Sequence, residues 1–174
     1  MNKIILLFLI YSLSGTILHF LFNLSKMNIV VGIFAAVNES VWEHIKILLT
    51  PIFIYSFINF LINKNYNFFQ LSIEIAAGML LIIVLYEIKV LFFKAKYGFI
   101  NIICFYIVCL ILSILHYKLN NIRVDSFANG ISLIPVIITL IMYLTFTIFP
   151  LKHKYFKDPI TGTYGINSHV KKSV

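Results

Sequence analysis

Five stretches of the chain are apolar over about twenty positions, the length a helix needs to cross a bilayer core of ~30 Å. They are Ile4–Leu24, Val41–Ile62, Leu71–Phe93, Phe99–Tyr117 and Phe127–Phe149. None alternates apolar with polar residues as a half-buried strand does, and in lipid only a helix satisfies its own backbone over such runs. Short polar joints separate them: Lys64-Asn65-Tyr66-Asn67, Lys94-Ala95-Lys96, and Lys118 through Asp125. Pro150 closes the last run. The pattern predicts an all-α polytopic membrane bundle of five transmembrane helices over residues 1–150, with a polar tail over 151–174.

Two stretches read in more than one way. Met1 to Ser14 has the basic start, apolar core and small residues of a signal peptide. The apolar run continues through His19 to Leu24, too long for a cleaved core, which favours an uncleaved first helix. Asn28–Val37 is apolar but about half the crossing length, so it predicts a re-entrant or an interfacial segment.

Composition narrows the class. Of 174 residues, 61% are hydrophobic and 11% charged, against about 25% charged in soluble domains. A soluble monomer and a disordered chain are both excluded. The net charge of +8 does not point to nucleic acid, because the basic residues flank apolar runs as headgroup anchors and form no stripe with stacking aromatics. The bilayer is the expected partner, with a membrane protein or a second copy as further candidates. Cys104 and Cys109 have no CxxC spacing and read as packing residues.

With five spans the termini lie on opposite sides. One side receives Lys3, Lys64, Lys118 and Arg123; the other receives the remaining ten basic residues, including Lys26, Lys46, Lys89 and the tail lysines. Positive residues mark the cytoplasmic side, so the expected arrangement is N-terminus outside and C-terminus cytoplasmic. Lys3, ahead of the first span, opposes it.

Polar residues within the spans recur at helical spacing: Ser12, Thr16, His19 and Asn23 in the first; Ser56, Asn59 and Asn63 in the second; Cys109, Ser113 and His116 in the fourth; Ser132, Thr139, Tyr143 and Thr147 in the fifth. Such stripes turn inward, and interhelical hydrogen bonding is the simplest use for them. Pro51 and Pro135 predict kinks.

The densest polar cluster is Asn38-Glu39-Ser40-Val41-Trp42-Glu43-His44. Ser40 followed by Glu43 predicts a capping box, Glu39 suits the helix dipole, and Trp42 suits a headgroup interface. Capping explains Asn38 and His44 poorly. Glu39 and Glu43, four apart, project to one side with His44 about a quarter turn on. Under the orientation above, His19, Glu87, His153 and Asp158 approach the same side. The candidate polar site is His19, Asn38, Glu39, Glu43, His44, Glu87 and Asp158. Carboxylate with imidazole is the ligand set of a divalent metal, here His19, Glu39, Glu43 and His44, and equally of a proton relay. There is no HExxH spacing. The segment Asp158 to Gly165 has strong turn chemistry, either a solvated turn or a lid offering Asp158, Thr161 and Tyr164 to the cluster.

His19, Asn38-Glu-Ser-Val-Trp-Glu-His-Ile-Lys46 leading to Pro51, and Asp158-Pro-Ile-Thr-Gly-Thr-Tyr-Gly165 resemble an uncharacterised family of small multipass membrane proteins, a domain of unknown function chiefly from low-GC Gram-positive bacteria. Ala36 stands where that pattern tends to have proline. The resemblance implies a polytopic protein and no established activity.

Three classes of function stay open. One is a membrane protein that binds an ion, a small solute or a protein partner at a cytoplasmic-side polar site; another is a membrane-embedded metal-dependent hydrolase or transferase; the third is a purely structural component. No GxSxG motif and no phosphate-binding glycine loop occurs, which lowers the enzyme reading, and no visible repeat suggests a secondary transporter.

Overall fold

The computed structural model describes residues 2–63, 66–93 and 98–168. Five of the tallied lysines (Lys64, Lys94, Lys96, Lys171 and Lys172), half of one joint and the whole of another lie outside them. Within the described residues the chain is helical: α1 (Asn2–Leu24), α2 (Ile29–Phe34), α3 (Val41–Asn63), α4 (Phe68–Phe93), α5 (Gly98–Leu119), α6 (Ser126–Ile131) and α7 (Leu133–Ile148). No strand occurs among the described residues; an isolated bridge joins Lys157 to Tyr164. Five apolar segments are long enough to cross a membrane, α6 and α7 together making the fifth.

The fifth run is not one helix. Pro135 lacks the N–H that would bond the Ile131 carbonyl, so the helix is interrupted at Ser132, whose hydroxyl donates back to the Ala128 carbonyl. Pro51, by contrast, lies inside an uninterrupted α3. The carbonyl it frees, Ile47 O, faces Gly15 of α1; a Cβ there would lie 3.0 Å from that oxygen and overlap the Phe105 ring of α5. Glycine is what lets α1 approach at this level.

The α3 helix is central. Half of its span is buried, against 28% for α1 and 22% for α4. Helix α1 packs on α3 and α5, and α4 packs on α3, α5 and α7. Leu6, Ile17, Leu61, Leu91, Ile102 and Phe127 are exposed. In water such a surface would drive association; against acyl chains it costs nothing.

The hydroxyl stripes link elements in part, as expected from spacing: Thr147 Oγ1 accepts from Lys46 Nζ at 2.9 Å and Ser56 Oγ from Tyr66 at 2.7 Å. Ser12, Ser113 and Thr139 donate to carbonyls four residues back on their own helices, a bond available to every helical hydroxyl without a partner helix. Thr16 also meets Tyr106 of α5 at 3.1 Å, and Tyr143 donates to the Lys46 carbonyl at 3.1 Å.

The short α2 is capped by Asn28 and folded back on its neighbours: Ala36 N–H donates to Leu18 O of α1. Residues 151–168 return to the bundle. Phe156 stacks on Trp42 at 5.5 Å and 30°, Asn38 Nδ2 donates to Gly165 O, and Tyr155 donates to Glu87.

Candidate functional site

At one end of the bundle three segments converge. Helix α1 brings His19, one turn beyond Gly15; the loop before α3 brings Glu39; the first turn of α3 brings His44. His19 Nε2 lies 3.3 Å from Glu39 Oε1, and His44 Nε2 lies 3.8 Å from Glu39 Oε2. One ligand atom from each residue falls within 4.8 Å of the others.

The tautomer of His44 follows from its second partner. Its Nδ1 is 2.8 Å from the Ser40 carbonyl, which only accepts, so Nδ1 carries the hydrogen and donates. In the neutral ring Nε2 then turns a lone pair toward a carboxylate. Two acceptors facing each other need a cation or a proton between them. Histidines that bind metals are commonly oriented in this way, by giving the other N–H to a carbonyl. The Glu39 carboxyl is held below its usual range by the hydrogen bond from His19, which outweighs the opposing effect of partial burial, with smaller attractions from His19, His44 and Lys89.

Two cavities meet at this cluster. One, of about 320 Å³, lies between α1, α3 and α5 and is lined by Thr16, His19, Phe20, Glu39, His44, Ile102 and Tyr106 among others. The other, of about 300 Å³, is lined by Glu39, His44, Tyr86, Lys89, Cys104 and the tail residues Pro159 and Ile160. Lys89 is nearly buried there, donating to Asn101 Oδ1 at 2.6 Å.

The other residues singled out by sequence go elsewhere. Glu43 does not join the histidines: its Oε2 accepts from Val37 N–H at 2.9 Å and pairs with Lys46 at 2.8 Å. It faces α2 and α7, where Lys46 also reaches Gly32 O and Thr147 Oγ1. The capping box is therefore half formed. Ser40 Oγ accepts from Glu43 N–H at 3.4 Å, but Ser40 N–H is satisfied by Asn38 Oδ1 instead of the Glu43 carboxylate. Asn38 thus joins the start of α3 to the tail. Glu87 is tied to Lys154 and Tyr155 of the tail. Asp158 is buried in its own turn, accepting from Ile160 N–H and Thr161 Oγ1. The lid reaches the second cavity through Pro159 and Ile160, while Asp158 and Thr161 hold its turn. Trp42 is 4% exposed, enclosed by Tyr143, Phe146 and Phe156. That burial takes the ring away from the lipid contact expected of a headgroup anchor, because α7 and the returning tail cover it.

Sequence reasoning missed a second polar group. Gln70, Glu74, His116 and Tyr11 meet in the interior, with Glu74 fully buried and its Oε1 2.9 Å from His116 Nδ1. The available signal was Glu74 itself, an acid placed inside an apolar span.

A protein-family model described as a family of unknown function, DUF6512, matches residues 1–166. Neither a curated protein nor a solved structure matches the chain.

Proposed function

The chain belongs to the DUF6512 family of unknown function, and from that premise we propose that it is a multipass membrane protein binding a divalent transition-metal cation through His19, Glu39 and His44. The observation that carries this reading is the His44 ring, locked by Ser40 O so that its free nitrogen faces Glu39. Zinc ligands at about 2.0–2.2 Å in a tetrahedron stand about 3.3 Å apart. The separations of 3.3 and 3.8 Å run to the two different oxygens of Glu39, and one ligand atom from each residue lies within 4.8 Å of the others, so closing on one ion takes side-chain movement of up to about 1.5 Å. Two imidazoles and a carboxylate suit a borderline ion such as zinc better than magnesium or calcium, which prefer all-oxygen shells.

We propose further that this end of the bundle faces the cytoplasm, with the tail inside and the start of α1 outside, a reading that the distribution of basic residues supports. Impermeant thiol labelling of a cysteine added to the tail, in intact cells, tests that orientation: no labelling is expected, and labelling reverses it.

A second reading, metal-dependent hydrolysis or group transfer, is favoured by the two cavities. Three protein ligands leave a coordination position for water, and such a water becomes a nucleophile near neutral pH. Binding is the part tested first. Zinc added to protein purified without metal should raise the melting temperature of the wild type and not that of His19→Ala or His44→Gln. Equal shifts in all three would refute the assignment.

A further inference from the structure

The second polar group is at the other end of the bundle. It opens on a cavity of about 480 Å³ lined by Lys3, Tyr55, Asn59, Tyr66, Gln70 and His116, among others. Lys3 begins α1, Tyr66 precedes α4 and His116 is near the end of α5. The His19 site instead uses the end of α1, and its neighbours Lys89 and Asn101 lie near the end of α4 and the start of α5.

Behind the cavity wall, Glu74 Oε1 accepts from Gln70 Nε2 at 2.8 Å and lies 2.9 Å from His116 Nδ1. Gln70 Nε2 also lies 2.9 Å from His116 Nδ1 and 3.3 Å from the His116 carbonyl, so while one hydrogen serves Glu74 the other has the ring nitrogen or the carbonyl to serve. Tyr11 OH is 3.4 Å from the same ring nitrogen, and the Tyr55 ring stands edge-on to the imidazole at 5.2 Å. Glu74 Oε2 is buried without a hydrogen bond. No lysine or arginine pairs with Glu74 among the described residues.

A carboxylate oxygen and an unprotonated imidazole nitrogen are both acceptors, and at 2.9 Å in an apolar interior they repel. One hydrogen between them turns the contact into a strong hydrogen bond, whichever atom holds it. A neutral imidazole can supply that hydrogen from its own Nδ1–H, but Glu74 then stays an anion; with one further proton the pair is either acid beside neutral imidazole or carboxylate beside imidazolium, and no net charge remains. Without it a bare anion would sit in the bundle, with one oxygen unpaired.

We propose that Glu74 and His116 form an intramembrane proton-binding site, sharing one proton taken from water of the cavity at the end remote from His19. The ligand is H⁺; the bond formed is O–H on Glu74 or N–H on His116, and no other bond changes. Gln70 and Tyr11 orient the pair, and His116, which lines the cavity, is the point of exchange. This proposal is independent of the metal site.

The test is solid-state NMR of the full chain in lipid bilayers, with ¹⁵N-labelled histidine. With the glutamates ¹³C-labelled as well, the wild type is expected to show either a protonated Glu74 carboxyl beside His116 Nδ1 or a His116 ring with both nitrogens protonated, in each case with a strongly deshielded proton between the two groups. That proton should be absent from Glu74→Gln when the backbone spectrum is otherwise unchanged. In D₂O it should exchange at least about tenfold faster than mid-helix amides of α4, since the cavity admits water. The exchange measurement needs only the wild type, so misfolding of the variant does not obscure the result. An ionised Glu74 carboxylate beside a singly protonated His116, survival of the deshielded proton in Glu74→Gln, or exchange as slow as the amides would each overturn the proposal.

Discussion

Replacing Lys46 by Met should destabilise the protein far more than loss of a helix cap would. All three ammonium hydrogens are engaged: Glu43 Oε2 at 2.8 Å, Gly32 O at 2.7 Å and Thr147 Oγ1 at 2.9 Å. Both charged side chains are buried, at 0 and 1% exposure. Breaking a buried pair from one side leaves a charge without its partner, a loss of about 3–5 kcal/mol. For a chain of this size each kcal/mol moves the melting temperature by about 2–4 °C, so a fall of roughly 6–20 °C is expected. Glu43→Gln should cost a comparable amount. The double variant should cost less than the sum by at least about 1 kcal/mol, because the second change removes a charge that the first had stranded. It should not return to wild-type stability, since Gly32 O and Thr147 Oγ1 still lose a donor. The assay is thermal unfolding in detergent of the wild type and the three variants. Additive losses of about 1 kcal/mol each, the size of a cap, would refute this role. Glu43→Gln should also keep its response to zinc, because Glu43 faces α2 and α7.

Four other outcomes follow from the same geometry. The Glu39 carboxyl lies lower in the folded protein than in the unfolded chain. Its stabilising contribution is therefore complete above the ordinary value near pH 4.3 and lost as pH falls through the lowered one; melting temperatures in acid should show that step, and Glu39→Gln should lack it. Gly15→Ala, whose Cβ would overlap Phe105 and crowd Ile47 O, should cost about 1–3 kcal/mol and weaken the zinc response through His19. Gly130→Ala, with nothing within 4 Å, should leave both melting temperature and zinc response intact. Gly165→Ala adds a side chain at φ +56°, with its Cβ 2.9 Å from Thr147 O; with Asn38→Ala it should loosen the tail, seen as faster proteolysis between Lys157 and Tyr164.

The apolar runs were enough to read five spans, because in lipid length and apolarity leave the backbone one solution. The break at Ser132 was half legible: Pro135 announced a disturbance, but where the helix resumes depends on back-bonding by Ser132. The convergence of His19, Glu39 and His44 followed from counting turns to one end of the bundle. Glu43 misled because spacing of four tells which side of a helix two residues share, and not which neighbour lies there. Lys46, three residues on, was the clue, discounted because a lysine near a span end ordinarily reaches for headgroups. Trp42 misled for a related reason. Its cover is Phe156, remote in sequence, and no local rule announces that the tail returns. Glu74 was visible as an intramembrane acid, but its partner His116 sits on another helix, and one sequence does not report that pairing.

The central claim is that His19, Glu39 and His44 hold a divalent metal, and X-ray absorption at the zinc edge tests it most directly on protein loaded with one equivalent of zinc in bilayers. The account predicts two imidazole nitrogens and carboxylate oxygen at about 2.0–2.2 Å, with zinc retained through chelator-free washing in wild type and lost in His44→Gln. A shell of water oxygens alone, sulfur from Cys104, or equal retention of zinc by His44→Gln would contradict it.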